Sequence, residues 1–180
     1  MSVPASDVVG MDGDVRLVPW ADDDFRLLRG TSSLEMTGHL GGPESEDEPA
    51  ARHRGYLELE PAAGRMYRVV LADGGGTAGP VGFWERAWRG GTVWGTGWAV
   101  LPGFRGRGLA VRAARAVVEE ARAAGRHRRL HAWPKVTHTA SNKVCERAGF
   151  TLLGPVGFEY PKGHRITCHD WWYDLGGEEG

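Results

Sequence analysis

The stretch Arg105-Gly106-Arg107-Gly108-Leu109-Ala110 joins a predicted strand, Val93–Val100, to the longest helical pattern in the chain, Gly108–Ala124. Glycines at positions 103, 106 and 108 let the backbone fold back and leave its N–H groups unobstructed by side chains. The start of a helix adds N–H groups without intrahelical partners and a partial positive charge. The two arginines add positive charge at the rim. The segment therefore predicts a site for an anion such as pyrophosphate.

Other phosphate-binding motifs do not fit this stretch. A P-loop needs lysine directly after its last glycine, and Leu109 follows Gly108 here. A dinucleotide fingerprint needs a third glycine or alanine where this chain has Val111, and the elements that precede the motif do not form a dinucleotide fold. The remaining alternative is a glycine turn that only joins a strand to a helix.

The hydrophobic pattern along the chain predicts a mixed α/β (α+β) domain with a mostly antiparallel first half and one strand–helix–strand crossover. The predicted strands are Val15–Val18, Tyr67–Leu71, Val81–Trp88, Val93–Val100, Arg129–Trp133, Phe150–Leu153 and Ile166–Leu175. The first predicted helix follows the acids Asp22–Asp24 and contains Phe25, Leu27 and Leu28. The other predicted helices are Ser32–Gly38, Glu44–Glu60, Gly108–Ala124 and Ser141–Ala148. We expect a flexible N-terminus over residues 1–13 and a single domain over residues 14–176.

Composition narrows the class of protein. The chain has 180 residues and a formal net charge of −1, so no global field attracts it to nucleic acid or to an anionic membrane. No signal peptide or membrane-spanning apolar run is visible. The two cysteines, Cys145 and Cys168, do not suggest a disulfide framework. We therefore expect a cytoplasmic protein with no nucleic-acid or membrane partner. The spacings of the His and Cys residues predict no metal site.

Four stretches of the sequence resemble one family. Arg105-x-x-Gly108-x-Ala110 resembles the Q/R-x-x-G-x-G/A signature of the GNAT superfamily of N-acetyltransferases, and Gly97–Pro102 resembles the strand that leads into it. Ala140–Phe150 resembles the second signature helix, which ends in Gly-Phe. The tail from Phe158 to His164, with Asp170-Trp171, is similar to an uncharacterised bacterial branch. The resemblance extends from Val15 to Leu175.

The resemblance implies the GNAT fold, a central mixed sheet splayed between its fourth and fifth strands and flanked by helices. It implies acetyl-CoA as co-substrate, with the pantetheine arm pairing like an added strand. It also implies that a backbone N–H near Val100 polarises the thioester while an amine attacks directly, with no acyl-enzyme. The cofactor-binding residues carried over are Trp98, Ala99, Val100, Arg105, Gly106, Arg107, Gly108, Leu109, Ala110, Val111 and His138.

The acid–base residues of the family are missing. The positions where many members carry a carboxylate base hold Trp94, Gly95 and Trp133, and the tyrosine general acid is replaced by Cys145. Deprotonating a lysine-like amine at neutral pH costs roughly 4–5 kcal/mol, whereas an α-amine costs only about 1 kcal/mol. A site without an evident base therefore favours an amine of low pKa or a proton relay.

The first relay candidate is His131, which shares a strand face with Trp133; a satisfied, partly buried histidine is the alternative. Further carboxylate candidates are Glu85, Glu159 and Asp170. Cys145 is a candidate proton donor to the CoA thiolate, or else a small core residue.

The residues that line the acceptor cleft are the ones that the sequence defines least. Trp84, Trp98 and Trp133 are candidates to line it, and Asp170 is a candidate partner of a substrate amine; packing and a structural ion pair are the alternatives. The leading prediction is an N-acetyltransferase acting on a small-molecule or peptide amine, and the alternative is a non-catalytic acyl-CoA sensor. Homodimers are common in the superfamily, and nothing in the sequence decides the oligomeric state.

Overall fold

The computed structural model describes residues 8, 10–31, 47–159 and 162–176. Over this part of the chain, one eight-stranded sheet runs in the order β1-β2-β3-β4-β5-β6-β8-β7. The strands are β1 (Gly10–Asp12), β2 (Val15–Pro19), β3 (Gly64–Leu71), β4 (Thr77–Trp88), β5 (Gly91–Trp98), β6 (Arg129–Ala132), β7 (Thr151–Glu159) and β8 (Arg165–Asp174). Neighbouring strands are antiparallel except for β5 and β6, which are parallel. The predicted mixed, mostly antiparallel sheet is confirmed.

Helices cover both faces of this sheet. The described α-helices are α1 (Phe25–Thr31), α2 (Asp47–Glu58), α3 (Leu109–Ala124) and α4 (Thr139–Arg147), with short 3-10 turns at Asp22–Asp24 and Pro102–Phe104. The predicted apolar stripe of α3 is confirmed, because Leu109, Ala113, Val117 and Ala121 are all buried in the main core. A smaller core on the other face joins Trp20, Leu27, Leu28 and Met66.

The parallel pair follows from the crossover. Parallel neighbours need a long connection, and α3 supplies it by crossing from the end of β5 to the start of β6. The hairpin predicted at Arg89-Gly90-Gly91 is also present, with Trp88 paired to Gly91. Its two loop residues, Arg89 and Gly90, have φ values of 48° and 79°, which is the conformation of a type I′ turn.

The structure differs from the sequence-based predictions at both ends of the chain. The segment expected to be flexible, residues 1–13, contains β1, whose Gly10 pairs with Leu17; three residues are too few for a recognisable alternation. The last hairpin is longer than predicted, because β7 continues through Gly154 and Pro155 by means of a bulge. Proline is tolerated there since β7 is an edge strand. The helix predicted at Ser32–Gly38, like the first residues of Glu44–Glu60, lies outside the described residues.

Candidate active site

The parallel ladder between β5 and β6 is short. Trp94 pairs with Leu130 and Gly95 with His131, and there the ladder ends. The chain after Gly95 stays with β4, since the amide of Ala99 donates to Pro80 at 3.1 Å and the amide of Leu101 donates to Ala78 at 2.8 Å. The segment that leads toward the glycine turn is therefore held on the β4 side.

The chain after β6 stays with β8 instead. The amide of His169 donates to the carbonyl of Pro134 at 2.9 Å, and the amide of Val136 donates to that of Thr167 at 3.0 Å. Lys135 and Cys168 form an antiparallel bridge between these two bonds. Because one side follows β4 and the other follows β8, the sheet opens into a cleft between them, at the position predicted for the splay.

The backbone of Val100 faces this cleft. Successive residues of an antiparallel strand direct their N–H groups to opposite sides, and Ala99 and Leu101 both use theirs on β4. The N–H of Val100 therefore points away from β4, toward the side that β6 has left. The carbonyl of Val100 lies on the same side and accepts a hydrogen bond from Nε of Arg105 at 3.4 Å. The cleft thus presents a backbone N–H at Val100, the position at which the family resemblance implies a polarising donor.

The glycine turn ends in a bare helix start. Gly106 and Gly108 have φ values of 76° and 72°, in the left-handed region that favours glycine. Gly108 is the N-cap of α3 and no side chain caps it; its carbonyl accepts a bond from the amide of Arg112. The amides of residues 109–111 come before this first helical hydrogen bond and so have no acceptor within the helix. Together with the exposed Arg105 and Arg107, they form a site suited to a multiply charged anion.

His138 and Asn142 organise the other wall of the cleft. His138 is the N-cap of α4, but its side chain does not make a capping hydrogen bond. Asn142 does the bridging instead: its amide nitrogen donates to the carbonyls of Lys135 and His138 at 3.0 and 2.9 Å. Its oxygen lies 2.9 Å from Nε1 of Trp171 and 2.8 Å from Nδ1 of His169. One side chain therefore ties the loop after β6 to both α4 and β8, which the sequence analysis did not single out.

Replacing Asn142 with alanine is expected to lower the free energy of unfolding by about 2–4 kcal/mol, since two carbonyls and an indole N–H lose their partner together. Chemical denaturation measures this directly. Lys143→Ala is the matched control on the exposed face of the same helix, where the ion pair with Glu146 is solvent-exposed and contributes little. Equal stability of the two variants would contradict the bridging role.

The tryptophans predicted to line the acceptor cleft do not share one face. Trp84 pairs with Gly95, and a Cβ on Gly95 would lie 3.2 Å from the Trp84 indole nitrogen and 3.0 Å from the Trp133 ring. Trp84 and Trp133 therefore meet over Gly95. Trp98 pairs with Val81 and packs against the main core on the opposite face, beneath α3. Two of the three aromatic candidates are thus brought together, and the third is separated from them by the sheet.

The two groups predicted as alternatives, His131 and Asp170, are bound to each other. Nδ1 of His131 lies 2.6 Å from Oδ1 of Asp170. Both residues are buried, at 2% and 0% exposure. Because Oδ1 of Asp170 is engaged by His131, the contact favours the alternative of a structural pair over a direct bond from Asp170 to a substrate amine. The other candidate carboxylates lie elsewhere: Glu85 pairs with His127 and Arg126, and Glu159 accepts the amide of Gly163 at the tip of the last hairpin.

Cys145 lies in the main core with no exposed surface. Burial raises the pKa of its thiol to about 12. Such a thiol is a poor proton donor toward the thiolate of CoA, so these properties favour a packing role for Cys145 over proton donation.

We predict that Cys145→Ala retains the turnover number of the unmodified protein while losing some stability, because alanine fills less of the core. Burial also raises the pKa of Cys168, the other buried cysteine. Neither thiol should therefore react with a disulfide reagent until the protein is unfolded. A slower chemical step in Cys145→Ala at saturating substrates, with the fold intact, would restore the thiol as an acid.

No group of three or more His, Cys, Asp or Glu side chains is arranged to hold a metal ion within the described ranges. None of the helices described is long and apolar enough to cross a membrane.

A family model described as an acetyltransferase (GNAT) domain matches residues 14–151. A search of curated proteins gave no significant match.

Solved structures share the fold at low sequence identity. The acetyltransferase from Salmonella typhimurium that modifies the N-terminal serine of 50S ribosomal subunit protein L7/L12 is 19% identical, with a TM-score of 0.72, and the match covers 92% of this chain and 97% of that one. An acetyltransferase from Agrobacterium tumefaciens is 22% identical, with a TM-score of 0.73 and coverage of 96% and 95%. The putative acetyltransferase yncA of Salmonella typhimurium, solved with acetyl-CoA, is 15% identical, with a TM-score of 0.72 and coverage of 93% and 98%.

Proposed function

Since the chain belongs to the GNAT acetyltransferase family, we propose that it moves the acetyl group of acetyl-CoA directly to an amine, in a ternary complex and without an acyl-enzyme. One observation carries the proposal. The end of the β5–β6 ladder at Gly95 and His131 is followed, along the same strand, by a glycine turn and a bare helix start. The opened sheet edge suits the pantetheine arm of acetyl-CoA, and the anion site that follows it suits the pyrophosphate.

Acetyl-CoA would lie along the opened strand edge and the turn before α3. The amides of the pantetheine arm pair with the strand segment that ends at Val100, which supplies the hydrogen bonds that β6 no longer supplies there. The pyrophosphate binds the amides of residues 109–111, with Arg105 and Arg107 beside it. The thioester then lies within the cleft, and the N–H of Val100 polarises its carbonyl oxygen.

The acceptor attacks from the opposite side of the cleft. Holding amine and thioester together replaces a bimolecular encounter, which by itself lowers the barrier by several kcal/mol. The wall on this side includes Trp84 and Trp133 over Gly95, and its flat aromatic surface suits an apolar or cationic amine. An α-amine costs least to deprotonate at neutral pH. The Salmonella structural relative acts on an N-terminal serine, which supports an α-amine as the first acceptor to test.

The alternative is an acyl-CoA sensor that binds the donor and transfers nothing. The absence of a carboxylate at Trp94, Gly95 and Trp133 favours it, because these positions hold the base in many family members. The two functions differ in one measurable quantity, the steady release of CoA in the presence of an amine.

A two-part experiment tests the proposal. Calorimetry with acetyl-CoA measures donor binding, and a thiol assay then measures CoA release with three classes of acceptor. These are a peptide with a free N-terminal serine, the same peptide with a blocked N-terminus and one lysine, and small primary amines. We expect donor binding and amine-dependent CoA release, fastest with the free α-amine among the two peptides. Donor binding without release on any amine would support the sensor, and no donor binding would remove both.

A further inference from the structure

The pair formed by His131 and Asp170 is placed to move a proton. We propose that it is the proton-accepting dyad of the transfer reaction, with Nε2 of His131 as the acceptor atom and Asp170 as the positioning residue. This inference rests on the proposed transferase function. It assigns the base that the sequence lacks at the usual positions.

The dyad lies where the two strands part. His131 is the last residue of β6 that pairs with β5, opposite Gly95. On the other side, Ala132 pairs with Trp171, so Asp170 lies one step beyond β6 in the direction of the cleft. Both residues therefore lie beside the opening of the sheet, where the thioester is proposed to lie.

The hydrogen bond between the two residues selects the form of the imidazole. A carboxylate only accepts, so Nδ1 carries a proton and donates to Oδ1 of Asp170 over 2.6 Å. Nε2 then carries the lone pair. It is buried and has no hydrogen-bond partner among the described residues. Leaving a buried acceptor unpaired is unfavourable, so Nε2 is prepared to accept a proton from a bound group.

The surroundings shield this atom from bulk water. The ring of Trp133 stacks on that of His131 with centroids 5.4 Å apart and planes 16° apart. The ring centroid of Trp88 lies 4.9 Å from that of Trp133 and 6.4 Å from that of His131. The guanidinium of Arg86 lies over the Trp133 ring, 5.5 Å from its centroid. Gly95 has no side chain to displace Trp84 and Trp133, so two of the residues that replace the family carboxylate shape this cover.

The proton balance closes without any further reactant. The amine nitrogen bonds to the thioester carbon, the carbonyl electrons move to oxygen, and the N–H proton passes to Nε2 of His131. The imidazolium is stabilised by the carboxylate of Asp170. The carbon–sulfur bond then breaks, and the imidazolium returns the proton to the departing thiolate. The products are the acetylated amine and CoA as a thiol.

Asp170→Asn and His131→Gln in the full-length chain test the dyad. We expect the turnover number to fall about 10²-fold or more with the best acceptor of the amine panel, while the Kd for acetyl-CoA stays within about twofold. His127→Gln is the matched control. Its Nε2 lies 2.6 Å from Oε1 of Glu85, so this pair is equally short. His127 precedes β6, however, and lies at the end of that strand away from the cleft. This variant should keep the wild-type turnover number.

A spectroscopic measurement separates positioning from packing. In protein labelled with ¹⁵N-histidine, His131 should give the Nδ1–H tautomer, and Asp170→Asn should abolish its downfield Nδ1 proton. Wild-type turnover in folded Asp170→Asn would overturn the dyad, as would an Nε2–H tautomer in the wild type. If the variants do not fold, the tautomer of the wild type decides. Absence of turnover with every amine in the wild type would instead overturn the proposed function, and the dyad with it.

Discussion

Gly108→Val is expected to raise the Kd for acetyl-CoA at least tenfold. Gly108 has a φ of 72°, which a β-branched residue adopts only with strain. A Cβ at this position would meet nothing within 4 Å, so the effect comes from the backbone conformation alone. Relaxing the strain rotates the helix start and moves the amides of residues 109–111 off the pyrophosphate. Each such bond to a charged oxygen contributes about 1.5–3 kcal/mol, and about 1.4 kcal/mol is a factor of ten in Kd.

The control for this variant carries the same strain at the other end of β5. Gly90 has a φ of 79° and also has open space around its missing Cβ, but it lies in the β4–β5 hairpin. Gly90→Val should lower stability to a similar degree and leave the Kd for acetyl-CoA unchanged in calorimetry. If both variants bind acetyl-CoA as the wild type does, the turn before α3 is a connector and does not hold the donor.

Gly79→Ala is expected to lower the stability of the protein strongly. A Cβ on Gly79 would lie 2.1 Å from the carbonyl oxygen of Ala99, and its φ of 145° is unfavourable for any other residue. The clash is with backbone, so no rotamer relieves it. We expect a loss of about 2–5 kcal/mol in the free energy of unfolding, or about 5–15 °C in Tm.

The same substitution should also weaken acetyl-CoA binding in the cleft. Because Gly79 touches the segment that carries Val100, whatever folded protein remains should show weaker acetyl-CoA binding, although Gly79 lies on β4 and outside the proposed donor site. Gly91→Ala is the control, since its Cβ would be 3.9 Å from the nearest atom and its φ lies outside the left-handed region. Thermal unfolding and calorimetry of the pair give both quantities. Similar behaviour of the two variants would mean that the segment does not depend on this close approach.

The proposed donor side of the site could be predicted from local sequence. Glycines with positive φ, a helix start and flanking arginines lie within a few residues of one another, so Arg105–Val111 could be recognised without knowing what packs against it. The strand that precedes it and the apolar stripe of α3 are also local patterns, and the structure agrees with both.

The acceptor side depends on contacts between distant residues. His131 and Asp170 are 39 residues apart, and either could be interpreted alone as a relay or as an ion pair. Their pairing follows from the antiparallel register of β6 and β8, which no local pattern specifies. The same register buries Asp170, and the β4–β5 register places Trp98 on the face opposite to Trp84.

By itself, the sequence determined the type of fold and predicted the glycine turn before α3 as an anion site, because both depend on backbone conformation and on the period of apolar residues over short stretches. The tertiary structure alone decided which side chains lie together on the proposed acceptor side of the cleft. Strand register and the ends of hydrogen-bonded ladders depend on how distant segments pack, so only the folded chain brings the imidazole, its carboxylate and the tryptophans over Gly95 together.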